Sequence, residues 1–87
     1  MGYVRIYSAA PTTEIASFWA AVDGATSYVL QVGTLTTLSD VYNENVGNVL
    51  TAFVLLPAGT YFIRSIVVGG AHDGELTTGG EQQVVVA

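Results

Sequence analysis

The stretch Leu56-Pro57-Ala58-Gly59-Thr60-Tyr61-Phe62-Ile63-Arg64-Ser65-Ile66-Val67-Val68 decides the fold. Pro57-Ala58-Gly59 is a turn signal that delivers the backbone into a long apolar run. A run rich in β-branched and aromatic residues and bounded by glycines reads as a strand. Alternation then puts Tyr61, Ile63, Ser65 and Val67 inward, and Phe62, Arg64, Ile66 and Val68 outward. Tyr61 has a ring to bury and a hydroxyl that needs a backbone acceptor. That is the logic of a tyrosine corner, which closes one end of a β-sandwich.

The segments on either side carry the same period of two. Upstream, Leu50 to Leu55 alternates Leu50, Ala52 and Val54 against Thr51, Phe53 and Leu55. Asp40 to Asn45 is a shorter, polar strand suited to an edge, and Gly33 to Ser39 is a threonine-rich connection. Ser27 to Val32 sets Tyr28, Leu30 and Val32 against Val29 and Gln31, after the turn dipeptide Asp23-Gly24. Glu14 to Val22 puts Ile15, Ser17 and Trp19 on one face and Ala16, Phe18 and Ala20 on the other. A helix over 9–22 is the alternative, but Pro11, Thr12 and Thr13 favour an extended chain and the apolar spacing is not helical. Tyr3 to Tyr7 alternates around Arg5 and predicts a first edge strand, broken from the next at Ser8–Thr13. Downstream, Gly69 to Gly80 is a glycine-rich loop with Asp73-Gly74 near its tip, and Glu81 to Val86 is the last strand.

The expectation is therefore an all-β, two-layer antiparallel β-sandwich of about seven strands, formed by residues 1–87 as a single domain. At 87 residues the chain is small. It buries roughly 60–65% of its unfolded surface, enough to fold alone with little margin. It has no cysteine, so apolar packing carries the stability without disulfide help.

Trp19, the Asp23-Gly24 turn, Tyr28-Val29-Leu30-Gln31-Val32, and then Leu56-Pro57-Ala58-Gly59-Thr60-Tyr61 resemble a fibronectin type III domain. Glu81-Gln82-Gln83-Val84-Val85-Val86 is similar to that family's last strand. The resemblance implies that Trp19, Tyr28 and Tyr61 meet in a shared interior. It implies no chemistry. Ser17 and Ser65 depart from it, standing where the family favours large apolar side chains, and the first strand lacks the family's proline-led opening.

Charge narrows the classes of partner. Only 10% of residues are charged, the net charge is −5, and the cations are Arg5 and Arg64 alone, with no lysine. Nucleic acid and anionic membrane surfaces attract clusters of Lys and Arg, so neither is an expected partner. No apolar run approaches the ~18 residues of a bilayer-spanning helix. The opening residues lack the basic lead and apolar block of a secretory signal.

Residues that could carry chemistry are sparse. His72 is the only histidine, beside Asp73 and near Glu75. Three neighbouring loop residues do not make a closed coordination sphere, and catalysis by His72 needs a positioned partner and a pocket. His72 and Asp73 therefore read as loop-tip contact residues. The seven carboxylates are scattered singly, without calcium-loop spacing. No cofactor, metal site or catalytic residue is expected, and the chain reads as a non-enzymatic protein.

The outward strand residues are more informative. Phe18, Val29, Phe62, Arg64, Ile66 and Val68 face outward. One reading is ordinary scattered surface hydrophobics with the Arg64 stem covering its neighbours; the other makes them candidate protein contacts, because several apolar side chains on a sheet face without lysine form the pattern of a docking surface. The sharpest expectation is a small structural or interaction protein: a decoration (cement) or accessory subunit of a viral particle, at the virion surface. Its partners would be capsid or tail subunits, or further copies of itself. The alternative is a protein- or carbohydrate-binding module cut from a larger secreted bacterial protein, hence extracellular.

Overall fold

A computed structural model describes residues 11–87. The predicted strand Tyr3–Tyr7 lies outside the described residues. Within them the chain is all-β, with six strands and no helix: β1 (Thr12–Phe18), β2 (Ser27–Gly33), β3 (Tyr42–Gly47), β4 (Thr51–Pro57), β5 (Gly59–Val68) and β6 (Gln82–Val86). They form two antiparallel sheets. One pairs β1 with β4, and the other has the order β3-β2-β5-β6.

Local chemistry accounts for the elements. β1 starts immediately after Pro11, which lacks an N–H to give to a ladder. The strand opens two residues earlier than its predicted start at Glu14 and ends at Phe18, so Trp19 follows it rather than lying within it. Trp19 nonetheless keeps the inward parity of Ile15 and Ser17, while Ala16, Phe18 and Ala20 are exposed. The Trp19 N–H donates to the Leu50 carbonyl at 3.0 Å and so extends the β1–β4 connection. The predicted Asp23-Gly24 turn forms, with Ala25 N–H donating to Val22 O at 3.1 Å.

β2 is the most deeply buried strand: Tyr28, Leu30 and Val32 are almost fully enclosed. Its partner β3 lies at the edge of the larger sheet. The register slips between Tyr28 and Val29, a bulge that twists an edge strand away from further pairing. β4 turns into β5 through Ala58 alone, and the Tyr61 hydroxyl donates to the Pro57 carbonyl at 2.8 Å. The predicted corner bond is thus made, tying a part-buried hydroxyl to the turn that precedes its strand.

One buried cluster draws on both sheets. Val54 and Leu56 of β4 join Tyr28, Leu30 and Val32 of β2, Tyr61, Ile63 and Val67 of β5, Val86 of β6, and Trp19. The Trp19 and Tyr28 rings lie 5.7 Å apart and tilted by 56°, a favourable aromatic arrangement. The Tyr28 hydroxyl accepts the Val22 N–H at 3.0 Å, whereas Trp19 Nε1 has no partner among the described residues.

Ser65 sits in the inward row of β5, as the alternation predicts. It is buried because Thr77, also buried, shares a 2.6 Å hydrogen bond with its hydroxyl. Thr77 comes from the 69–81 connection, which is more structured than a plain loop. Its residues 75–77 continue along β5: Glu75 O accepts Val67 N–H at 2.8 Å and Thr77 N–H donates to Ser65 O at 3.0 Å. β6 itself pairs only with the first half of β5, from Gly59 to Ile63. Gly70 has a φ of +74°, and a Cβ there would stand 2.6 Å from Gly24 O, so glycine lets this connection close on the Asp23-Gly24 turn.

Candidate functional site: the outer sheet faces

The residues predicted to form an outward face divide into two environments. On the larger sheet Val29, Phe62, Ile66 and Val68 are half-buried. Arg64 departs most from the expected arrangement, since only 7% of it is exposed. Its Nε donates to Gln31 Oε1 at 2.9 Å, its Nη1 to Glu81 Oε2 at 2.9 Å, and its Nη2 to the Leu38 carbonyl. A guanidinium with all three nitrogens engaged internally is an anchor, and its charge is not presented to a partner.

The Arg64 bonds hold down the 34–40 connection. Gly33 lets that segment return across the sheet: a Cβ on Gly33 would lie 2.1 Å from Leu38 O. Glu81 fastens it from the other side, accepting from the Thr36 hydroxyl and, at 2.9 Å, from the Thr37 N–H. These two bonds, followed by the Arg64 charge, hold the Glu81 carboxyl below its ordinary value. Asp40 closes the far end, with Oδ1 accepting the Thr34 N–H at 2.9 Å and Oδ2 the Thr34 hydroxyl at 2.8 Å. Its carboxyl is lowered chiefly by the Thr34 backbone bond and then by the hydroxyl.

The smaller sheet is different. Along its outer face Glu14, Ala16 and Phe18 of β1 oppose Leu55, Phe53 and Thr51 of β4 in register. All six are exposed, with Phe18 at 79%, Phe53 at 59% and Leu55 at 61%. Phe18 and Phe53 are diagonal neighbours across the pair, within reach of each other's rings. Phe18, Phe53 and Leu55 thus stand exposed near one another on this face, alongside Glu14 and Thr51. Of the predicted contact residues Phe18 alone lies on this face. Phe53 and Leu55, which were not among them, stand exposed beside it, as the alternation of Leu50–Leu55 against Ala52 and Val54 allows.

The loop-tip residues are exposed and locally employed. His72 Nδ1 lies 3.1 Å from Glu75 Oε1, and Asp73 Oδ1 accepts the Gly69 N–H at 2.7 Å, which closes the turn. Among the described residues no group of three or more His, Cys, Asp or Glu side chains is arranged to hold a metal ion. No family model, curated protein or solved structure matches this chain.

Proposed function

We propose that this chain is a non-enzymatic interaction module that works by packing its outer sheet face against other proteins. In its sharpest form it is a decoration or accessory subunit of a viral particle or a similar assembly. We further read its two sheets as the layers of a fibronectin type III-like sandwich. The shared cluster of Trp19, Tyr28 and Tyr61 and the corner bond to Pro57 support that reading.

The observation that carries the functional reading is the exposed patch of Phe18, Phe53 and Leu55 on β1 and β4. Apolar side chains held rigidly on a paired strand surface can be desolvated by a complementary face without the entropy cost of ordering a loop. No lysine stands anywhere in the chain to oppose such a contact.

The test is co-sedimentation with the structural proteins encoded beside the natural gene. The wild-type chain is expected to travel with one assembled partner. A Phe18→Ser/Phe53→Ser/Leu55→Ser variant is expected to stay behind at unchanged secondary structure. A wild-type protein that remains monomeric and separate from every such assembly overturns the proposal, as does a triple variant that binds as well as the parent.

A further inference from the structure

The chain contains the dipeptide Asp-Gly twice, at Asp23-Gly24 and Asp73-Gly74. Each forms the centre of a four-residue turn. The turn over residues 22–25 is closed by the Ala25 N–H donating to Val22 O at 3.1 Å, and that over residues 72–75 by the Glu75 N–H donating to His72 O at 3.0 Å. Both glycines have a left-handed φ, +83° at Gly24 and +87° at Gly74, which suits the third position of a tight turn. Asp23, Gly24, Asp73 and Gly74 are all exposed. In sequence, in turn geometry and in access to water the two sites are near duplicates.

They differ in their hydrogen bonds. A turn closed between its first and fourth residues leaves the N–H of the third outside the ring. At the second site another element takes up that group: the Gly74 N–H donates to Val67 O on β5 at 2.7 Å. The Asp73 carboxylate is held as well, its Oδ1 accepting the Gly69 N–H at 2.7 Å. At the first site neither the Gly24 N–H nor the Asp23 carboxylate has such a partner among the described residues.

An aspartate followed by glycine can close on itself. The glycine nitrogen attacks the side-chain Cγ, and the carboxylate takes a proton from water. One carboxyl oxygen then leaves as water, carrying that proton and the one lost by nitrogen. The product is a five-membered succinimide. Water adds back at either carbonyl. Addition at the side-chain carbonyl restores aspartate. Addition at the main-chain carbonyl gives isoaspartate, with the backbone rerouted through Cγ and a free α-carboxylate. The ring closes only when the glycine N–H is released and the carboxylate can swing onto it.

We propose that Asp23 is a site of spontaneous isoaspartate formation in the folded protein, and that Asp73 is protected by the Val67 and Gly69 bonds. Water is the only other reactant. The change falls on a joint of the fold. A Cβ on Gly24 would stand 3.4 Å from Gly70 Cα, and one on Gly70 would stand 2.6 Å from Gly24 O, so this turn touches the backbone of the 69–81 connection. Isoaspartate adds one carbon to the main chain at that contact. It also stands next to Val22, whose N–H donates to the Tyr28 hydroxyl at 3.0 Å. The altered chain is therefore expected to unfold at a lower urea concentration than the parent.

The test is incubation of the whole chain at neutral pH and physiological temperature, folded and in urea. Digestion then uses a protease that cleaves before aspartate but not before isoaspartate, and electron-transfer fragmentation identifies the isomer in the uncut peptides. In urea both sites should convert at similar rates, since each is an Asp-Gly pair. In the folded protein Asp23 should convert roughly tenfold faster than Asp73 or more, the ratio that one or two committed hydrogen bonds sustain. Asp23→Glu cannot close a five-membered ring and should abolish the product there while leaving Asp73 as it was. Equal rates in the folded protein, a faster Asp73, or no conversion at Asp23 while urea releases both sites would each overturn the proposal. So would the same preference for Asp23 in urea, because the local sequence and not the fold would then set it. None of these outcomes depends on whether the outer face binds a partner.

Discussion

Arg64 donates to Glu81 across 2.9 Å, with 7% of the arginine and 20% of the glutamate side chain exposed. Glu81 stands at the threshold of β6, and the same arginine holds the Leu38 carbonyl and Gln31. One side chain thus joins β2, β5, the start of β6 and the 34–40 connection. Arg64→Ala removes the charged partner of Glu81 and leaves a shielded carbonyl unsatisfied. The expected loss is roughly 2 kcal/mol, in line with hydrogen bonds to charged groups. It is read as a lower urea midpoint with an unchanged slope. Arg64→Lys keeps the charge without the planar fork and is expected to recover less than half of the loss. Full recovery by lysine would show that charge alone matters there.

Acid should loosen the same region first. Asp40 and Glu81 both have folded values held below their ordinary 3.8 and 4.5. For a depressed carboxylate the stabilisation is complete above the unfolded value and is lost as pH falls through the folded one. The urea midpoint is therefore expected to be flat from about pH 7 to about pH 5 and to decline below about pH 4. Glu81→Gln keeps the shape of the side chain and removes one titrating group, so its decline should be shallower. An acid limb identical in slope to that of the parent would remove Glu81 from this account.

The interior was legible in the sequence because its signals are local. Tyr61, Ile63 and Val67 alternate within a few residues, and the partner of the Tyr61 hydroxyl is only four positions away. The environment of Arg64 was not legible. Its hydrogen-bond partners lie 33, 17 and 26 positions away, and one of them, Leu38, lies on a connection that folds back only because Gly33 has no side chain. A period of two says which face a residue is on, but not whether a loop covers that face. Alternation placed Val29, Phe62, Ile66 and Val68 outward on the larger sheet, where they are half-buried. The exposed pair Phe53 and Leu55 was visible only as the unused half of an alternation. The partner of Ser65 was not legible for a related reason, since Thr77 sits in the glycine-rich 69–80 segment, outside any predicted strand.

The Ser65–Thr77 pair makes a clean double-mutant cycle. Both residues are buried, and their hydroxyls share one 2.6 Å hydrogen bond. Thr77→Val leaves the Ser65 hydroxyl shielded without its partner, at a cost of about 1–3 kcal/mol. Ser65→Ala with Thr77→Val removes both polar groups and should cost less than the sum of the two single changes. The measurement is chemical denaturation of the four proteins. Strict additivity would mean that the two hydroxyls do not depend on each other.

Gly33 tests whether the 34–40 connection is held against the sheet as a unit. A Cβ there would meet Leu38 O at 2.1 Å and Leu38 C at 2.5 Å, and both are backbone atoms that no rotamer change can move aside. Gly33→Ala must therefore push the connection outward and lengthen the Arg64 bond to Leu38. It should also disturb the Thr36 and Thr37 bonds to Glu81. The expected cost is about 2 kcal/mol or more, the range for overpacking against a rigid neighbour. Amide exchange gives the sharper reading. The Thr37 N–H, which donates to Glu81 at 2.9 Å, should lose its protection in the variant, while amides in the β1–β4 sheet keep theirs. Equal loss in both sheets would mean that the connection has no separate stability and that the whole domain yields together.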